Sequence, residues 1–355
     1  MRRLTRKAEE ALLGAMLHRP EALPSMRWIP PATFARPDHA ALWGILHSLD
    51  FARIAPSQIP AALTAAVARI EEPGLRQTLT PFRLSQIAGA CPDPRTAPLY
   101  GGMVLESAIH RAVEHAGQTL RHTARQAEVD QALQALEQAD KTGQRLAQLD
   151  AAWRAAPETV RNLLDTPAEH PVAPVPRVER TRTDPRAEAE TVASLLNQPS
   201  QMREVTGWLQ HQDFTHPHLA AVYRAMVTLD ERHAPIDPVT VAWEAQRHPG
   251  PRPSEQVLSE LEHGGTPGSA AWTGEQVLHT AVLDRLDQAG HDIRNVGRHP
   301  ALAPGALIDH AERALEPVAA DRERVRHAER EVEPAPADAE PSPPRSHDHE
   351  MEIDL

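Results

Sequence analysis

The sequence predicts an all-α protein of two helical domains joined by a Pro-rich linker. Three observations carry this prediction. Hydrophobic residues fill 41% of the 355 positions but aromatics only 3%, so helix-favouring Ala and Leu outweigh the β-branched and aromatic residues that build strands. The apolar residues recur at helical spacing. The 34 prolines, which cannot continue a helix interior, mark boundaries, linkers and tails.

Taken in order, Leu12, Leu13, Met16 and Leu17 share one face of a first helix that stops at Pro20. Pro37 opens a second helix, with Leu42, Trp43, Leu46 and Leu49 on one face. A long stripe follows at Val104, Leu105, Ala108, Ile109, Ala112, Val113 and Ala116. After a polar break near Gln126 comes another, at Val129, Leu133, Leu136, Leu146, Leu149 and Trp153. Together they predict an antiparallel hairpin. From Pro157 to Pro185 the chain carries Pro167, Pro171, Pro174 and Pro176 and reads as an extended linker. A second hairpin is expected from Val277 to Val296 and Leu302 to Val318, its second arm the shorter. The predicted organisation is a helical domain at 1–155, a Pro/Arg-rich linker at 156–185, a second domain at 186–320 and an acidic Pro-rich tail at 321–355. That tail holds eleven acidic residues against five arginines, half of the net charge of −12, and is expected to be disordered beyond about Glu331.

The two halves repeat. Ala8-Glu9 leads to Met16-Leu17-His18-Arg19-Pro20 as Ala187-Glu188 leads to Leu195-Leu196-Asn197-Gln198-Pro199. Trp28, Phe34-Ala35-Arg36-Pro37 and Ala40-Ala41-Leu42-Trp43 return as Trp208, Phe214-Thr215-His216-Pro217 and Ala220-Ala221-Val222-Tyr223. Leu84-Ser85-Gln86-Ile87 returns as Leu258-Ser259-Glu260-Leu261, and Ala116-Gly117 as Ala289-Gly290. The blocks keep their order at a nearly constant offset, which points to two copies of one domain.

Several chemistries are excluded by composition. The only lysines are Lys7 and Lys141, and neither sits in the G-x-x-x-x-G-K-[ST] context of a phosphate-binding loop, so helicase or ATPase activity is not expected of this chain. A lone cysteine, Cys91, permits no internal disulfide and fits a reducing compartment as a free structural thiol. The N-terminus lacks a signal-peptide pattern and no stretch suffices for a membrane span, so a cytoplasmic location is expected. His211, His216 and His218 with Asp213 match no closed metal site, and no cofactor motif is present. Glu9 with Glu10, and Glu188 with Glu190, are placed in first helical turns, where carboxylates favour the positive dipole end.

Two residue sets remain as candidate contacts. The apolar stripes are first of all core or helix-pairing surface, and within them Leu133, Leu136, Leu146, Leu149 and Trp153 form the candidate partner-binding face. Arg177, Arg180, Arg182 and Arg186 are candidate phosphate contacts should the chain bind DNA. The other basic cluster is Arg2, Arg3, Arg6 and Lys7.

The pattern Ala-Glu, an apolar helix ending at Pro, then Phe-x-x-Pro and an aromatic-containing helix resembles the N-terminal domain of DnaB-family replicative DNA helicases. In the second half, Pro235-Ile236-Asp237-Pro238-Val239-Thr240-Val241 is similar to that family's Pro-Ile-Asp-x-x-Thr-Leu segment. Leu258-Ser259-Glu260-Leu261 and Thr266-Pro267-Gly268-Ser269-Ala270 are similar to its Leu-Ala-Glu-Leu and Thr-Pro-Ser-Ala runs. The first half keeps Phe34, Pro37 and His39 but not the Pro-Ile-Asp segment. The resemblance implies a helical head and hairpin that pair with neighbours in a collar contacting primase, without the RecA-like motor. The expected role is a non-enzymatic, primosome-type interaction module: an adaptor or competitor for a replicative helicase, primase or loader, forming an intramolecular pseudo-dimer or a homo-oligomer. The alternative is a DNA-binding accessory protein using the arginine clusters.

Overall fold

A computed structural model describes residues 2–165, 182–264 and 268–332. Among the described residues the regular structure is helical, with no strand, and no helix is long and apolar enough to cross a membrane. The first half runs α1 (Arg2–His18), α2 (Pro37–Ser48), α3 (Ile59–Ala68), α4 (Pro73–Thr78), α5 (Pro81–Gly89), α6 (Ala97–Gln126), α7 (Ala132–Ala155) and α8 (Glu158–Leu164). The second runs α9 (Pro185–Asn197), α10 (Met202–Val205), α11 (Pro217–Glu231), α12 (Pro238–Ala245), α13 (Glu255–Gly264), α14 (Ala270–Gly297) and α15 (Pro304–Val332).

The long helices α6, α7, α14 and α15 form a four-helix bundle, with α6 against α14 at its centre and α15 closing onto α7. One head, α1 to α5, packs on α6 mainly through α1; the other, α9 to α13, packs on α14 mainly through α9. The stripe Leu105, Ile109, Val113, Ala116 and Leu120 of α6 is buried together with Val282, Leu286, Ala289 and Ile293 of α14. The first head has a separate core built on Leu12, Leu13, Met16, Leu42, Trp43 and Leu46, whereas the second head's core is continuous with the bundle.

The chain departs from the sequence reading at four places. Residues 156–165, assigned to the linker, begin with α8, which lays buried Val160 against α6 at Gly102, where a Cβ would strike Val160 and Leu164. Residues 321–332, assigned to the tail, continue α15, where Asp321, Val325 and Ala328 are buried. The second arm of the second hairpin is therefore not the shorter: α15 has 29 residues against 28 in α14, because it continues from Val318 to Val332. Lastly, Leu133, Leu136, Leu146, Leu149 and Trp153 are not a docking face. Leu136, Leu146 and Trp153 are buried, and Leu133 and Leu149 pack against the same core, so the bundle itself occupies that stripe. Residues 166–181 and 333–355, which hold the rest of the linker and tail, lie outside the described residues.

Candidate interaction surfaces

The Ala-Glu positions organise both heads. Glu9 is fully buried within α1 and accepts hydrogen bonds from the Ala35 N–H and from His39 Nδ1, the latter at 2.7 Å. Glu188 of α9, also buried, accepts from the Thr215 N–H at 2.8 Å, the His216 N–H at 2.9 Å and the Thr215 hydroxyl. Glu188 thus caps the start of α11 at its N-cap residue His216, while Glu9 holds the turn that leads into α2 through the Ala35 N–H and the His39 side chain. The first-turn placement read from the sequence holds for Glu188 in α9, whereas Glu9 lies mid-helix in α1; both carboxylates also hold the segment that leads into the next head helix. Behind these contacts, Phe34 stacks on Trp43 with ring centroids 5.4 Å apart, and Phe214 on Tyr223 at 5.0 Å. Trp43 Nε1 donates to the Ile29 carbonyl at 3.0 Å, and the Tyr223 hydroxyl to the Leu209 carbonyl at 3.1 Å. Burial holds the Tyr223 phenol protonated, far above its usual range.

The α6–α14 crossing is reciprocal. A Cβ on Gly117 would meet the Gly290 carbonyl oxygen at 2.6 Å, and one on Gly290 would meet that of Gly117 at 2.9 Å, so the two backbones touch at these glycines. On one side Arg121 and Arg125 donate to Asp287 at 3.0 and 3.1 Å; on the other, Arg298 donates to Glu114 at 2.9 Å. Glu114 and Asp287, and Arg125 and Arg298, stand at the same offset in sequence as Gly117 and Gly290. An interface in which residue i meets j while their counterparts meet in reverse has the form of a two-fold contact. His110 reaches the Gly297 carbonyl at 3.4 Å, and both His110 and His279 are buried with Nε2 unpartnered. Burial lowers the pKa of each imidazole.

A buried ion cluster fastens the second head to the bundle. Arg285 of α14 donates to Asp213 at 2.9 Å and to Asp321 at 2.6 and 3.0 Å. Arg324 adds contacts to the same two carboxylates. Asp213 therefore belongs to this structural cluster rather than to a metal site, and no group of His, Cys, Asp and Glu among the described residues is arranged to hold a metal ion.

Of the candidate phosphate contacts, Arg177 and Arg180 lie outside the described residues. Arg182 donates to the Arg125 carbonyl at 2.9 Å, and Arg186 pairs with Glu190 at 2.7 Å.

The surface the sequence reading passed over is α12. Its Pro-Ile-Asp segment is a cap: Asp237 accepts from the Val239 and Thr240 N–H groups, and the Thr240 hydroxyl accepts in return from the Asp237 N–H. Glu244, buried, is held by Arg232 and Arg247 and anchors the inner face with Val241 and Ala245. Val239 and Trp243, one turn apart, are consequently turned outward, 77% and 65% exposed. Their i, i+4 spacing was readable, but nothing in sequence says which face of a short amphipathic helix stays open.

No curated protein matches this chain, and no solved structure matches it either. Residues 181–263, the stretch that contains α9 to α12 and nearly all of α13 with the Glu188 cap and the α12 surface, match the family model described as DnaB-like helicase N terminal domain.

Proposed function

We propose that the chain is built from two copies of a helicase N-terminal type of domain, fused so that a pairing otherwise made between subunits occurs within one polypeptide. It acts without catalysis, as an adaptor that binds a component of the replicative helicase assembly: the helicase, the primase or the loader. The observation that carries this reading is the family match over the second head, with the α12 surface inside it. The matched contacts of Glu9 and Glu188, Trp43 and Tyr223, and Gly117 and Gly290 support the two-copy part. Because the hairpin stripes are taken up within the bundle, the docking surface is assigned to the heads, and first to Val239 and Trp243. A competitor using the hairpins would first have to open the α6–α14 crossing.

The test is gel filtration and pull-down of the full chain with the host helicase, primase and loader separately. Binding to one of them is expected, and the pair Val239→Ser with Trp243→Ser should weaken it about tenfold or more, as loss of an exposed aromatic anchor does at interfaces. Circular dichroism should be unchanged, since both side chains point to solvent. Failure to bind all three ends the adaptor reading; binding untouched by the double variant removes α12 from it.

A further inference from the structure

Between the N-terminal part of α1 and α6 runs a groove of about 760 Å³, walled by Leu4, Ala11, Pro92, Tyr100 and Met103. Leu4 and Met103 are among the exposed large apolar side chains, so apolar surface lies open to solvent here. A hydrogen bond of 2.7 Å between the Thr5 and Ser107 hydroxyls ties the two helices together beneath it. Arg3, Arg6 and Lys7 are exposed along one margin.

The groove holds little opposing negative charge. Glu10 is taken up by Arg83 at 2.6 Å. Glu106 lies in the groove, where burial alone raises its pKa and favours the neutral carboxyl. An apolar floor beside a cationic margin fits an acidic segment with apolar side chains at alternate positions. Residues 348–355 of this same chain read Asp-His-Glu-Met-Glu-Ile-Asp-Leu, so Met351, Ile353 and Leu355 alternate with Glu350, Glu352 and Asp354. In an extended peptide the first set would share one side and the carboxylates the other.

Reach is sufficient. The eighteen residues from Glu333 to Glu350 span up to about 60 Å when extended. Glu329, near the end of α15, shares a pocket with Glu128 and Val129 just past the end of α6, and the groove lies by Tyr100 and Met103 near its start, so the distance to cover is roughly the 45 Å length of this 30-residue helix.

We propose that residues 348–355 dock intramolecularly in the α1–α6 groove, Met351, Ile353 and Leu355 against its floor and the carboxylates toward Arg3, Arg6 and Lys7. The groove is then a self-occupied peptide site that an external acidic, apolar peptide would have to win by displacement.

The experiment uses the full chain at low concentration with the photo-cross-linker benzoylphenylalanine replacing Met351, and mass spectrometry to map the adducts. Cross-links within one chain to peptides spanning Leu4–Ala11 or Tyr100–Ser107 are expected. Arg6→Glu combined with Lys7→Glu should cut their yield about tenfold, and high salt should act in the same direction, because the attraction is between solvent-exposed charges. Adducts joining two chains, adducts elsewhere, or no adducts each overturn the proposal.

Discussion

Gly117→Ala probes the α6–α14 crossing. The added methyl carbon would stand 2.6 Å from the Gly290 carbonyl oxygen and 2.7 Å from Arg294 Cα, both main-chain atoms of a helix that cannot rotate away. Restoring ordinary contact means parting α6 from α14 by about 1 Å, which forfeits a quarter to a half of the dispersion energy of each flanking contact. Overpacking of this kind costs about 1–3 kcal/mol, offset by up to about 1 kcal/mol because Ala is the better helix former. Net destabilisation of about 1–2 kcal/mol is expected. Gly44→Ala, inside α2 with nothing within 4 Å of the new carbon, is the control and should stabilise by about 0.5–1 kcal/mol. At about 2 °C per kcal/mol for a chain of this size, the two variants should melt roughly 3–6 °C apart by far-UV circular dichroism, on opposite sides of the parent. If Gly117→Ala melts at or above the parent, the helices do not meet at that glycine and the reciprocal crossing is wrong.

The remaining predictions concern the caps, the ion cluster and the interface histidines. Glu188→Gln keeps the shape but weakens three charge-assisted hydrogen bonds to Thr215 and His216, and should cost about 2–3 kcal/mol in urea denaturation; a loss below 0.5 kcal/mol would show that the cap carries little. Arg285→Met leaves the buried carboxylates Asp213 and Asp321 with Arg324 as the remaining cation of this cluster and should destabilise by about 3–5 kcal/mol, whereas a near-neutral result would mean that the cluster is solvated. His110 and His279 have folded pKa values below the ordinary imidazole value, so the unfolded chain takes up protons first as pH falls. Stability is then fully present above about pH 6.5 and declines below it, by up to about 1.4 kcal/mol per histidine for each pH unit. Melting temperatures from pH 7.5 to 5 should fall less steeply in the His110→Gln, His279→Gln double variant, and equal slopes would sink the assignment.

The helices were legible where periodicity and punctuation agreed. The stripe from Val104 to Ala116 became α6, and the break near Gln126 became its end. Pro37, Pro185 and Pro217 open α2, α9 and α11, as a residue without a backbone donor does best. One proline lies inside an α-helix that tertiary contacts hold. Pro317 lies within α15 because the segment beyond it is held by Asp321 to Arg285 and by Val325 in the core, contacts made to residues distant in sequence. The sequence reading assigned 321–332 to the acidic tail; the fold places Asp321 and Arg324 of that stretch in a buried ion cluster.

The surfaces were harder to read for a physical reason. An apolar stripe records that a face is dry, not what dries it, so Leu136, Leu146 and Trp153 looked the same whether destined for a partner or for the chain's own second half. Reciprocity is the missing information, and its residues were present in the sequence: Ala116-Gly117 and Ala289-Gly290 are the small-residue pairs that let two helices approach backbone to backbone, and Glu114 with Arg125 mirrors Asp287 with Arg298. One domain carrying these residues alone would leave Glu114, Arg125 and the Gly117 surface unmatched, and so would require a second copy in solution. Here Asp287, Arg298 and Gly290 lie on the same polypeptide, and α14 answers the charges and the close approach of α6.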